Sequence, residues 1–228
     1  MTSPQQAAGN RHFHEELAQL KQSLVDMAAL AEGLVDQSIK SLLERDRDMA
    51  EEVIGNDKRI NTLEVQIEQR AIKLIALHQP MARDLRFLVG AIKVSSDIER
   101  VGDHAVNIAQ SAVRLVDFGG RLTPAPEIED MARRSRQMLS QATDAFNRGD
   151  GALGREVCNA DDAVDALHDS VFRSLLTHMM ESARNITPSL ELLLVSRNLE
   201  RVADLATNIG EDAVYLAEGK QIKHHFED

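Results

Sequence analysis

The sequence predicts an all-α protein of six long helices arranged as two tandem, similar three-helix bundles, and three observations carry that reading. Glycine (12) and proline (5) are scarce among the 228 residues and gather at a few breaks. The stretches between them are rich in Ala, Leu, Glu, Arg, Gln and Met, which lose least on entering a helix. No window of four to eight residues alternates like a strand. Finally, residues 94–113 laid on 195–214, an offset of 101, agree at eleven of twenty positions, among them Glu99/Glu200, Arg100/Arg201, Asp103/Asp204 and Asn107/Asn208.

The breaks define the elements in order. A first helix over about 13–43 ends in the polar run Glu44 to Arg47, and a second over about 48–78 ends at the segment His78 to Ala82 around Pro80. A third, about 83–117, stops at Phe118, Gly119 and Gly120. A fourth, about 127–147, follows Pro126 and stops at the turn Gly149, Asp150, Gly151. The fifth (about 151–183) and sixth (about 188–218) are separated by Asn185 to Pro188. Upstream of the main repeat the offset becomes 104, pairing Glu52 and Val53 with Glu156 and Val157, Asp57 with Asp161, and Leu63 with Leu167. The difference of three falls in a loop, where length changes most freely. The organisation expected is a flexible segment 1–14, a bundle 15–118, a linker 119–126, a second bundle 127–218 and a tail 219–228 that holds His224 and His225. Helices of thirty residues are about 45 Å long, and short loops make neighbours antiparallel.

Composition narrows the function. The chain carries 37 acidic and 26 basic side chains, a formal net charge of −11, with no Trp, one Tyr and 3% aromatics. It offers neither a broad cationic field for phosphates nor platforms for stacking bases, so nucleic-acid binding is not expected. A single cysteine, Cys158, excludes an intrachain disulfide and a four-thiolate metal site. The polar N-terminus and the lack of a long apolar run argue against export and membrane insertion, and a cytoplasmic protein is expected.

Helix three carries the most informative pattern. Leu85, Leu88, Val89 and Ile92 share one stripe, and its continuation brings Ser96, Glu99, Asp103 and Asn107. The opposite side, with Val94, Ile98, Val101, Ala105 and Ile108, stays apolar, so this helix is expected to be central in its bundle. Helix six repeats the pattern, with Ile186, Leu190 and Leu193 running into Glu200, Asp204 and Asn208. On helix two, Asp57, Asn61, Glu64 and Glu68 form one stripe. Helix five answers with Asp161, Asp165 and Asp169, flanked by Asp162 and His168. Exposed like charges at i, i+4 cost only about 0.2–0.5 kcal/mol, but half-buried ones need neutralising. Two readings follow: Arg100 and Arg201 reach across to a neighbouring helix, or the eight positions Asp57, Asn61, Glu99, Asp103, Asp161, Asp165, Glu200 and Asp204 ligate metal. An oxygen donor set suits Mg, Ca, Mn and oxygen-tolerant Fe, and zinc accepts carboxylate too.

Enzymatic signatures are missing. There is no paired Glu-x-x-His of a di-iron bundle, no P-loop, no nucleophile elbow and no His-Glu-x-x-His. Cys158 aligns with Ile54 and reads as a small core residue. No phosphate pocket is evident, and an acidic stripe repels phosphate unless metal reverses its charge. A metal-dependent enzyme and a purely structural helical oligomer both remain open on the residues alone.

Three segments carry a family resemblance: Asp57, Lys58, Arg59, Ile60, Asn61 with Leu63 and Glu64; Gln79, Pro80, Ala82, Asp84, Leu85, Arg86; and Ile92, Lys93, Ser95, Asp97 to Asp103. They resemble the PhoU family of bacterial phosphate-uptake regulators, over nearly the whole chain. The resemblance implies two three-helix bundles side by side and a non-enzymatic negative regulator of phosphate uptake and the phosphate-starvation response. It also implies a cytoplasmic location, a homodimer, and partners in the ATPase subunit of a phosphate ABC transporter and a sensor histidine kinase. Multinuclear iron or zinc on the paired acidic motifs is implied too, with Glu99 and Asp103 beside Asp57 and Asn61, and Glu200 and Asp204 beside Asp161 and Asp165. Asn61 departs from the acidic pattern and weakens the first site unless Glu64 or Glu68 joins. The Gln-Pro segment has no counterpart in the second half, where Glu181 to Thr187 stands in its place.

Overall fold

A computed structural model of the chain describes residues 4–119 and 124–222; the side chains of residues 4–11 and of Asp57 lie outside that description. Its elements are α1 (Pro4–Glu44), α2 (Arg47–His78), α3 (Ala82–Phe118), α4 (Pro126–Arg148), α5 (Gly151–Glu181) and α6 (Ile186–Glu218), with a 3-10 turn at Ala183–Asn185 before α6. Among the described residues there is no strand, and no helix is long and apolar enough to cross a membrane.

The turns follow local chemistry. Asp46 accepts a hydrogen bond from Met49 N at 2.9 Å and Asp150 from Leu153 N at 3.1 Å, each satisfying an orphan amide at the start of its helix. Gln79, Gly119 and Gly149 close α2, α3 and α4 in the left-handed conformation. Two boundaries differ from expectation. The expected flexible segment 1–14 is helical from Pro4, because proline is suited to a first helical position and Ala7 and Ala8 continue it. The α5–α6 break comes earlier than expected, at Ser182, whose hydroxyl accepts from Arg184 N at 3.3 Å. Pro188 lies inside the first turn of α6, where no intrahelical partner for its missing N–H exists. Residues 120–123 of the expected linker, and His224 and His225 of the tail, fall outside the described residues.

Helices α1, α2 and α3 pack mutually, as do α4, α5 and α6, and the two bundles join through α3 against α6 and α1 against α4. The joining helices are antiparallel: Lys93 pairs with Asp212 at 3.8 Å, His104 Nδ1 donates to Asn198 Oδ1 at 2.9 Å, and Arg114 pairs with Glu191 at 2.9 Å. As one number rises the other falls. α3 is therefore central, as its two-faced apolar pattern predicts, with Leu88, Ile98, Ala105 and Ile108 fully buried. One bundle is filled by Leu20, Leu24, Met27 and Ile60, the other by Ile128, Met131 and Val202, and the buried side chains of both run together into one cluster. Burying each such side chain contributes about 1.5–3 kcal/mol.

Candidate metal sites and docking face

Each acidic group sits on a helical hairpin. α2 and α3 turn at residues 79–81, so counting back equally along both arms sets Asn61 level with Glu99 and Asp57 level with Asp103. Asn61 and Glu99 are half-buried and Asp103 is exposed. The Asp57 side chain lies outside the described residues. The α5–α6 hairpin repeats the register, placing Asp165 level with Glu200 and Asp161 level with Asp204.

The second group is electrostatically crowded. Burial pushes the Asp161 carboxyl up to about 7, with Asp165, Asp204, Asp162 and Glu200 adding to the shift. Asp165 is raised as well, first by burial and then by Asp204 and Asp162, while His168 acts in the opposite sense. Asp161 Oδ1 is buried without a hydrogen-bond partner among the described residues. His168 Nδ1 lies 2.6 Å from Ser196 Oγ, which also lies 3.5 Å from Met131 Sδ. Among the described residues no three His, Cys, Asp or Glu side chains converge as ligands of one ion.

Among the described residues, the ion pairs of Arg100 and Arg201 run along their own helices, where one sequence reading has them reaching across to a neighbour. Arg197 holds Glu200 at 2.5 Å, Arg201 holds Asp204 at 2.8 Å and Arg100 lies 3.6 Å from Asp97, each three residues away on its own helix. Such partly exposed pairs contribute little.

The apolar stripe leading into the acids also differs from expectation. Leu88 is buried, but Leu85, Val89, Ile186 and Leu190 are 38–47% exposed. Ile72 and Leu176, at matching positions on α2 and α5, are exposed too. The stripe is therefore a surface band, and each hairpin carries one between its turn and its acidic group. Periodicity identifies an apolar face on α3 and α6 without saying whether a partner covers it.

Three comparisons bear on this arrangement. A family model, the PhoU domain, matches twice, at residues 24–112 and 128–213, one match in each bundle. A "phosphate-specific transport system accessory protein PhoU homolog" from Rhizobium meliloti is 38% identical over 92% of the chain and 88% of its own length, and one from Aquifex aeolicus is 40% identical over 92% and 95%. The crystal structure of PhoU from Pseudomonas aeruginosa superposes with a TM-score of 0.86 at 33% identity, covering 91% of this chain and all of its own. A second, the phosphate transport system regulatory protein PhoU from Streptococcus pneumoniae, gives 0.84 at 28% identity over 92% and 98%. With the model matched in both bundles and relatives this similar over almost their full length, the chain belongs to the PhoU family.

Proposed function

We propose that the protein is a cytoplasmic, non-catalytic accessory regulator of phosphate uptake, acting negatively on uptake and on the phosphate-starvation response as an adaptor. Its partners are the ATPase subunit of a phosphate ABC transporter and a sensor histidine kinase, and it works as a homodimer. Relatives named as accessory and regulatory proteins of phosphate transport, not as enzymes, support this. The observation that carries the adaptor reading is the duplicated apolar band, Ile72, Leu85 and Val89 on one hairpin and Leu176, Ile186 and Leu190 on the other. Exposed apolar surface rimmed by charge marks protein-binding faces.

The acidic groups are proposed to hold metal, with iron or zinc ahead of manganese, magnesium or calcium. The crowding around Asp161, and its unsatisfied Oδ1, is what a cation relieves. Asp161, Asp165, Glu200 and Asp204 would hold it once Glu200 and Asp204 rotate out of their arginine pairs, with Asp57, Asn61, Glu99 and Asp103 as the weaker first set. A bound cation would neutralise the cluster and fix α5 against α6 beside the docking band.

Two measurements test this. Calorimetric titration of the chain with the kinase's cytoplasmic portion, and with the ATPase subunit, should give saturable binding. The double variant Ile72→Glu/Leu176→Glu should weaken it roughly tenfold or more; absence of binding to both partners would sink the adaptor reading. Metal content by plasma mass spectrometry should be stoichiometric in protein purified without chelator and fall in Asp103→Ala/Asp204→Ala. Protein that neither carries nor takes up metal removes the metal sites alone.

A further inference from the structure

One cavity runs against the negative charge of the chain. Where the start of α3 and the ends of α4 and α6 meet α1, a cavity of about 260 Å3 is lined by Lys21, Arg83, Arg148 and Asn147, with Phe87 as an apolar wall and Asp84 as its carboxylate. Three cations thus face one acid in a protein of net charge −11. Lys21 and Arg83 come from the first bundle, Asn147 and Arg148 from the second.

Part of this cluster has a structural task. Lys21 Nζ donates to Asn147 O at 3.0 Å and Arg83 Nη2 donates to Arg148 O at 3.2 Å, so both cap the carbonyl end of α4. Gly149 allows this approach, since a Cβ there would collide with Arg83 Nη2. Capping uses one donor of an ammonium that has three and one of a guanidinium that has five. It also leaves the Asn147 amide buried, with neither Nδ2 nor Oδ1 hydrogen-bonded among the described residues. Arg148 is tied to Asp144 through Nε at 2.8 Å, which leaves the outer nitrogens of its fork. Burial, and next Arg83, depress the Lys21 ammonium despite Asp84, so the like charges crowd one another.

We propose that this cavity binds an oxyanion of the phosphate class, held by Lys21, Arg83 and Arg148, with the Asn147 amide as a neutral donor. Guanidinium forks and an ammonium converging beside a spare amide suit a doubly charged tetrahedral group, whose oxygens accept from several directions at once. The group is either free phosphate or the phosphoryl end of a small organic phosphate lying along Phe87. None of the acidic positions assigned to metal lines this cavity, so the site stands apart from them. Because the donors come from both bundles, occupancy fastens one to the other.

The test uses the full chain, stripped with chelator so that phosphate held through metal does not contribute. It is titrated calorimetrically at neutral pH with inorganic phosphate and, separately, with adenosine monophosphate. Saturable one-to-one binding of either is expected, weakened roughly tenfold or more in Lys21→Gln and in Arg148→Gln. Arg148→Gln leaves both capping bonds in place, and circular dichroism confirms that it folds. Preference for phosphate or for the nucleotide tells the two sources apart. No saturable heat with either probe up to about 10 mM, or unchanged affinity in folded Arg148→Gln and Lys21→Gln, overturns the proposal. Failure here leaves the adaptor reading intact.

Discussion

Gly154 of α5 and Gly210 of α6 meet backbone to backbone: a Cβ on Gly154 would lie 2.6 Å from the Gly210 carbonyl oxygen, and one on Gly210 would lie 2.9 Å from the Gly154 carbonyl oxygen. The two helices of the hairpin that carries the second acidic group therefore approach closely just beyond that group, where Asp161 and Asp204 interact.

Gly154→Ala should destabilise the protein even though alanine is the better helix former. Propensity favours the change by about 1 kcal/mol, but the obstacle is a carbonyl that cannot swing aside, and overpacking of this kind costs about 1–3 kcal/mol. Urea unfolding should show a net loss. Gly33→Ala is the control, since nothing lies within 4 Å of a Cβ there, and it should stabilise by up to about 1 kcal/mol.

Phe146 should be the costliest single truncation between the bundles. Its ring stacks on Phe87 with centroids 5.2 Å apart and fills the space left by Gly90, where a Cβ would lie 2.7 Å from Cε2. Phe146→Ala is expected to lose about 3–5 kcal/mol, read as a lowered denaturant midpoint. Gly90→Ala in the intact background should also destabilise, by driving the ring from its seat.

Asp161 makes stability fall as pH rises. Below its unfolded value of 3.8 the carboxyl is neutral whether folded or not; between there and about 7 the unfolded chain ionises first, and above about 7 the folded chain must carry the charge. The favourable contribution of the neutral folded form is thus lost across that interval. In chelated protein, Asp161→Asn should raise the melting temperature at alkaline pH and leave it little changed near pH 4. A melting-temperature difference independent of pH would contradict this.

Cys158 should be nearly inert. Its thiol is pushed up to about 11, chiefly by burial and then by Glu211 and Asp161, and Sγ lies 3.7 Å from the Thr207 carbonyl oxygen. Alkylation by iodoacetamide at neutral pH should be slow in the folded protein and rise sharply once denaturant unfolds it.

Much of the fold was legible because it is written in strong local signals. Asp46, Gly119, Gly149 and Asp150 end or begin helices by chemistry that needs no partner, and five of the six starts fall within two residues of expectation. The exception, Pro4, preceded a run whose helicity depends on alanine propensity rather than on an apolar stripe. The acidic positions were legible because they occur twice. Their surroundings were not: whether Leu85 and Val89 lie in a core depends on which neighbour covers them, and that is a property of packing. The basic cavity was invisible for a related reason, since Lys21, Arg83 and Arg148 are far apart in sequence and meet only where α1, α3 and α4 converge.

The antiparallel seam of α3 and α6 gives the molecule an approximate twofold axis, so the halves meet as the subunits of a symmetric dimer would, inside one polypeptide. A true dimer must change both copies at once, whereas here each copy mutates alone. One half can keep a full set of carboxylates while the other trades one away, and Asn61, at the repeat position that Asp165 holds in the second half, is that trade. The protein is in this sense a heterodimer of its own halves, and a lesion in one half leaves its twin in place.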